Sequence, residues 1–504
     1  MLAAATLAFA ACTSDELKVT DNQPQLTNEP MAVAFDTYVS NGTSAQTRAT
    51  NSYSGHGPYA TINMQEEDEG FGVFASYYAG TDNYIALGTT PPFTKPTPNF
   101  MYNQNVTYNA TSTSWTYTPL MYWPNQTSVN GATDGSTDSQ TGNTAQADIL
   151  DRVSFFAYAP YQKIVADKTN GLDKTDGKVY GATANTQKTV GVTEMISNTA
   201  TTTPQIHYVV AKEPQYSEDL LWAVAPYGGL NYTAVNGTPV KIDYGTSFVD
   251  MIKPAANTKI KFLFQHALSA LKMSIVAAID QVAPGGNLDS QTKIYVNYVK
   301  LTSETTGTNF ATEGTLSLLN RVEGGDFVPN LPNWEITTGK SGPLYIGDIG
   351  LTPVPPSSEV PNISINPTLQ STKDGGTGLY NAFANAGVTS TEVGLFAAGS
   401  GGAGVDDMLM FIPVLPTGYT YAGANPLNIV VEIDYDVVTQ SANVSGEQVK
   451  VNNVIRKRIS LPKYRNGRIY KLKLILGVSS VQFEAEAADW TTDEQDIDLP
   501  RNLD

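Results

Sequence analysis

Apolar residues along this chain recur at every second position, and in few places at every third or fourth. That period sends side chains to alternate faces of a pleated strand. In residues 31–39, Met31, Val33, Phe35, Thr37 and Val39 share one face. Near the other end, Tyr470, Leu472, Leu474 and Leu476 lie opposite Lys471 and Lys473, after an Asn466-Gly467 turn signal. Val481, Phe483, Ala485 and Ala487 then repeat the alternation. Strands are also expected at 70–78, 115–117, 120–124, 153–160, 206–210, 220–224, 294–301, 408–414 and 427–435. The 408–414 stretch reads as central. The 427–435 stretch reads as edge-like, with Glu432 and Asp434 on a solvated face. Residues 260–276 are mostly apolar, and their Ala, Leu and Met content also suits a helix. Alternation at Ile260, Phe262 and Phe264, and again at Leu271, Met273 and Ile275, favours two strands with a kink at 267–269. One short helix is expected near 378–386.

Composition agrees with an all-β chain. Charged residues make up only 15%, below the roughly 25% of ordinary soluble domains. Thr, Ser, Asn and Gly supply the polarity instead, as half-buried strands and long turns require. The 504 residues exceed what one core normally serves, so two domains are expected. The best break is Pro284-Gly285-Gly286-Asn287, which puts the boundary near 283.

The N-terminus has its own organisation. Leu2 to Ala11 is apolar or small apart from Thr6, and Cys12 follows, the one cysteine of the chain. This reads as the end of a signal peptide with a lipobox-like site, and Cys12 as the lipid-bearing residue. A cleaved signal peptide with an incidental cysteine is the alternative. No basic n-region precedes the apolar run, so a start further upstream is expected. The run is too short to span a bilayer, which takes about 20 apolar residues. The expected divisions are therefore 1–12 as signal peptide, 13–48 as leash and first strand, 49–283 and 284–504 as two β-domains. Thr47-Arg48-Ala49-Thr50 stands alone in a polar tract, where an arginine is either simply solvated or a nicking site.

The chemistry excludes several classes. Net charge is −18, which repels phosphate backbones, so nucleic acid is not an expected partner. One cysteine and three scattered histidines leave no disulfide and no zinc set. Adjacent Asp406 and Asp407 point to opposite faces of a strand, and no nucleophile-elbow, zincin or phosphate-loop pattern occurs. No enzymatic activity and no cofactor are expected. Calcium at Asp134 and Asp138 would need a ligand spacing unlike an EF-hand loop. Trp115, Trp123, Trp222 and Trp334 could form a stacking platform for sugars, which would make the protein a surface-exposed glycan-binding lipoprotein. Packing as core is the competing reading.

Taken in order, the lipobox at Cys12, Phe35-Asp36 followed by Thr47-Arg48-Ala49, the Trp115 and Tyr122-Trp123-Pro124 pair, residues 153–160, residues 264–271, and the Gly467–Tyr470 strand ending at Ala488-Asp489-Trp490 resemble the fimbrillin family. These are type V pilus subunits and Mfa-like fimbrial lipoproteins. The resemblance implies two transthyretin-like β-sandwich domains in tandem. It implies export to the outer membrane as a lipoprotein anchored through Cys12. It also implies trimming by an arginine-specific protease, with Arg48 as the cleavage residue and Ala49 as the new N-terminus. Loss of the first strand, with Met31, Val33, Phe35, Thr37 and Val39, would then allow other pilus subunits to join by strand exchange in an extracellular fimbrium, with adhesion as the outcome. Val481, Phe483, Ala485 and Ala487 mark a candidate donor strand. A resident C-terminal strand is the equal alternative, and with it a tip or accessory role.

Overall fold

The computed structural model describes residues 31–39, 70–79, 84, 98–124, 151–196, 203–225, 231–233, 239–241, 247–251, 259–278, 291–304, 310–323, 326–327, 331–347, 362–371, 385–398, 401–405, 407–415, 426–441, 443–444, 446–477 and 481–489. Among them the regular elements are strands and two single-turn 3₁₀ helices. The helix expected near 378–386 falls almost wholly outside the described residues.

The N-terminal half is organised on an eight-stranded sheet. Its order is Phe35–Val39, Ile260–His266, Leu221–Val224, Asp151–Ala159, Phe71–Ala79, Met101–Asn109 and Ser114–Thr116, with Phe248–Met251 added to Asp151–Ala159. The central strands of this sheet are buried on both faces, and the period of two distributes their side chains between two cores. Phe71, Val73, Phe155, Ala157, Leu221, Ala223, Phe262 and Phe264 enter one core. Their neighbours Phe74, Phe156, Tyr158, Trp222, Val224 and Leu263 enter another. Burial on both sides explains why these strands read as continuous apolar runs.

The expected kink is present. Ile260–His266 lies in the eight-stranded sheet, and Ser269–Ala277 lies in a seven-stranded one. That second sheet runs Ser341–Gly342, Phe310–Ala311, Leu409–Pro413, Ser269–Ala277, Arg468–Leu476 and Val481–Asp489, with Val393–Gly394 added to Ser269–Ala277. Facing it is a five-stranded sheet of Asn362–Ile363, Leu344–Gly347, Thr292–Ser303, Leu427–Gln440 and Gln448–Leu461. The two enclose a core that includes Met273, Val299, Leu344, Phe411, Ile433 and Leu474. The expected boundary at 283 lies outside the described residues. A four-stranded sheet joins Glu313–Ser317 and Asn333–Ile336 to Gln205–Val209 and Gly191–Ile196, so strands from both halves of the sequence share one ladder.

Leu427–Gln440 corrects the sequence expectation. It is not edge-like: Thr292–Ser303 pairs on one side and Gln448–Leu461 on the other. Its acids are not solvated either, since Glu432, Asp434 and Asp436 are 9%, 3% and 0% exposed. The reason is a polar cover brought by the neighbouring strands. Tyr298 Oη donates to Glu432 at 2.6 Å, and Arg456 pairs with the same carboxylate. Asn297 and Asn452 both donate to Asp434 at 2.7 Å. Asn452 also donates to Asp436 at 2.9 Å, and Lys450 lies 3.6 Å from Asp436. A buried charge is tolerated when paired in this way.

Burial alone pushes the Glu432 carboxyl up, but the Tyr298 and Arg456 bonds outweigh it and hold it below its usual 4.5. A lowered carboxyl stabilises the fold above that usual value, and the stabilisation is lost as pH falls through the lowered one. Tyr298→Phe therefore brings the Glu432 carboxyl up and moves its share of acid destabilisation to higher pH. Urea unfolding at a series of pH values, wild type against variant, measures the shift. Coincident acid limbs would remove Glu432 from the balance.

Candidate functional site

The first described segment is held from two sides. Residues 31–33 run beside 121–123: Val33 N donates to Met121 O at 2.8 Å, and Trp123 N donates to Met31 O at 2.8 Å. Ala32 and Tyr122 form an antiparallel bridge. The chain then crosses to the edge of the eight-stranded sheet. There Phe35–Val39 runs parallel to Ile260–His266, in register from Phe35 opposite Ile260 to Val39 opposite Phe264. Ile260 N donates to Ala34 O at 2.8 Å, closing the ladder at its start.

Its side chains enter a seat built entirely from later residues. Val33, Phe35 and Thr37 are 1%, 2% and 4% exposed, and Met31 packs half-buried against the same core. The Phe35 ring stacks on Phe262 at 5.5 Å. Phe71 and Phe155 meet it edge-on at 6.2 and 6.1 Å, and Tyr117 closes the pocket at 5.5 Å. Offset and edge-to-face rings of this kind add to the area they bury. Tyr117 Oη donates to Val33 O at 2.7 Å, and Met121 N donates to Tyr117 Oη at 3.3 Å. Burial pushes the Tyr117 phenol up to about 12, so it stays a neutral donor and locks the strand to the 117–121 turn.

One position fits imperfectly. Thr37 Oγ1 is buried and finds no hydrogen-bond partner among the described residues. Such a hydroxyl typically costs about 1–3 kcal/mol.

The second candidate segment, Val481–Asp489, forms the last strand of the seven-stranded sheet. It pairs with Arg468–Leu476 through nine residues, from Arg468 opposite Asp489 to Leu476 opposite Val481. Among the described residues that is its one strand partner. Ala485 is exposed, and Ala487 packs part-buried on the core. Cys12, Arg48 and Ala49 lie outside the described residues, as do Asp134, Asp138 and Asp406.

The tryptophan platform is not formed. Trp115, Trp123 and Trp222 are 8%, 3% and 1% exposed. Trp115 and Trp123 fill the aromatic core around Phe35, and Trp222 fills the core on the sheet's other face. Trp334 is half-buried, with Nε1 donating to Ala267 O at 3.0 Å. Sequence reading also missed the clasp at 121–123 and the Tyr117 lock. Both lie some 80 to 90 positions from the strand they hold, and nothing in the local pattern links them.

No protein-family model matches the chain. It is similar to fimbrium subunit Fim1C of Phocaeicola vulgatus, at 24% identity over 504 residues, covering 99% of this chain and 97% of that one. Among solved structures it is similar to a fimbrial protein from Bacteroides vulgatus, at 20% identity and a TM-score of 0.43, covering 92% of this chain and 100% of the other. The tip fimbrial protein Mfa3 from Porphyromonas gingivalis, solved with a C-terminal truncation, covers 67% of this chain and 80% of its own at 10% identity and a TM-score of 0.16.

Two substitutions measure the seat. Phe35→Ala should cost about 3–5 kcal/mol of unfolding free energy, as large-to-small changes in a packed aromatic core do. Thr37→Val should raise stability by about 1 kcal/mol, because it removes the unsatisfied hydroxyl and keeps the β-branched shape. Guanidinium unfolding followed by tryptophan fluorescence reads both. Equal midpoints for Phe35→Ala and wild type would mean that the strand contributes nothing to the fold around it.

Proposed function

We propose a structural and adhesive role in a cell-surface fimbria for this chain, which takes its place in the fimbrillin family on full-length similarity to a fimbrium subunit. In this reading the precursor is anchored in the outer membrane through a lipid on Cys12. An arginine-specific protease cuts after Arg48, freeing Ala49, and the segment before it stays seated until a replacing strand displaces it. A strand from another subunit then fills the seat, and two tandem sandwich domains become one link of an extracellular fimbrium. No catalytic constellation is needed for that role.

One observation carries the proposal. The segment at residues 31–39 is a separable plug in a closed aromatic core. Every residue that forms its seat comes later in the chain, at 71, 117, 121–123, 155 and 260–264. A cut at 48 therefore divides plug from seat without dividing the seat.

Energetics then set the order of events. Val33 and Phe35 each contribute about 1.5–3 kcal/mol through burial, and each ladder bond about 0.5–1.5 kcal/mol. An empty seat would cost the sum, so the plug stays bound after the cut and must be displaced stepwise. The replacing strand has to run parallel to Ile260–His266 and present apolar side chains at alternate positions.

The chain carries a sequence of that form at its other end. Val33-Ala34-Phe35-Asp36-Thr37-Tyr38-Val39 aligns with Val481-Gln482-Phe483-Glu484-Ala485-Glu486-Ala487 without a gap. Val481 takes the place of Val33, Phe483 that of Phe35, Glu484 that of Asp36, and Ala485 that of Thr37. Ala485 would also remove the unsatisfied hydroxyl at the third position. This match supports Val481–Asp489 as the donor over a purely resident role, and a second copy as its acceptor.

The test is digestion of the folded protein with an arginine-specific protease, followed by intact mass and size-exclusion chromatography. A single cut after Arg48 with higher oligomers appearing is the expected result. In Phe483→Ala the cut should persist and the oligomers should fall away. Resistance at Arg48 in a folded chain would sink the trimming step. Clean trimming with oligomers unaffected by Phe483→Ala would sink the C-terminal strand as donor.

A further inference from the structure

Gln448–Leu461 is the outermost strand of the five-stranded sheet and has one strand partner among the described residues. It pairs with Leu427–Gln440 over 14 residues without a shift of register, and it contains no proline or glycine. Its other edge is therefore a straight row of backbone donors and acceptors. Protected edges are usually short, bulged, interrupted by proline or guarded by charge. Charges are present here, but they are turned to the chain's own acids. Lys450 Nζ lies 3.6 Å from Asp436, and Arg456 and Arg458 pair with Glu432 and Glu304. Held in this way, these three neither guard the edge nor call for an outside polyanion.

The apolar side chains are exposed where a solvated strand would be polar. Odd-numbered residues share the face of Ile433, Tyr435 and Val437, which enter the core. Ile455 and Ile459 pack part-buried against that core. Val449 and Val451 lie on the same face, yet they are 64% and 55% exposed, so the strand runs on past the core it joins. Val454, on the other face, is 49% exposed. Valines beside an open ladder are the surface that an added strand covers.

Charge complementarity within the edge identifies that strand. Antiparallel pairing of two copies about a two-fold axis at Asn452 sets Glu447 opposite the partner's Lys457, Val449 opposite the partner's Ile455, and Val451 opposite the partner's Asn453. On the other face Gln448 meets the partner's Arg456, and Lys450 meets the partner's Val454. No like charges stand directly opposite. Moving the axis one residue, to Asn453, would set Lys450 against the partner's Arg456, which is unfavourable. Glu447 and Lys457 are both exposed, and they flank the three valines. The axis at Asn452 thus closes the apolar stretch with an opposite-charge pair at each end.

We propose that this edge binds a second copy of the chain in that antiparallel register, joining two five-stranded sheets into one across a two-fold axis. The edge shares no residue with the seat of residues 31–39 or with Val481–Asp489, so the contact is independent of trimming and strand exchange. Repeated along a fimbria, weak contacts of this kind hold neighbouring fibres side by side. The test is sedimentation equilibrium of the uncut full-length chain. A single edge is a small interface, so a dimer with a dissociation constant on the order of 10–100 μM is expected. Glu447→Lys and Lys457→Glu should each raise that constant about tenfold, because each places two like-charge pairs across the axis. Combining Glu447→Lys with Lys457→Glu restores opposite pairs and should return the association to the wild-type level. Both positions are exposed, and circular dichroism of each variant checks that the fold is kept. A monomer throughout the concentration series would overturn the proposal. So would a dimer that neither single variant weakens, or one that the double variant fails to restore.

Discussion

One run of backbone, residues 260–277, holds the first described strand and one strand of the C-terminal hairpin. Its first strand, Ile260–His266, takes Phe35–Val39 in parallel. After the step at Ala267-Leu268, its second strand, Ser269–Ala277, takes Arg468–Leu476, also in parallel. Parallel neighbours cannot be joined by a tight turn. Phe35–Val39 and Arg468–Leu476 therefore reach this run through long detours, and each sits there by side-chain fit and ladder bonds. The step is itself anchored: Gly467 N donates to Leu268 O at 2.8 Å, and Asn466 Nδ2 donates to His266 O at 2.8 Å. Loosening the run would release the N-terminal plug and the C-terminal hairpin together.

Period two was legible because many strands keep it between their bulges. Leu409 and Phe411 face one core while Met410 and Ile412 face another. Such a strand has no polar side, yet its short length and the proline at its end still identify it. The break at 267–269 was legible for a related reason, since the alternation runs on even positions before it and on odd positions after it. What a pattern of this kind cannot specify is the partner. Residues 120–124, expected as a strand, form only an isolated bridge at Tyr122, and the contact of Tyr117 and residues 121–123 with residues 31–33 is a tertiary fact with no local signature.

The acid ladder on Leu427–Gln440 was misread for an instructive reason. Acids alternating with apolar residues usually mark a half-exposed strand. Here the acids lie on the face turned away from the core that takes Val431, Ile433, Tyr435 and Val437, yet they are buried beneath polar cover from strands that lie far off in sequence on one side, with Asn297 and Tyr298, and close by on the other, with Asn452 and Arg456. Gln448–Leu461 contributes that cover while remaining largely exposed itself, with Val449, Val451 and Val454 at 64%, 55% and 49%. An alternating strand thus reports two faces of different character. It does not report which face meets water.

The two kinds of burial divide the molecule by how easily its parts can be replaced. The acid ladder depends on matched polar groups from three strands, and a foreign strand lacking any one of them would strand a buried charge. The seat of residues 31–39 makes a looser demand. Its walls are aromatic rings and backbone, and the one buried hydroxyl that faces them, Thr37 Oγ1, finds no partner among the described residues. Apolar seats tolerate substitutes of similar volume, whereas a matched polar network tolerates few. The two kinds of burial therefore place different demands on the strand that fills them.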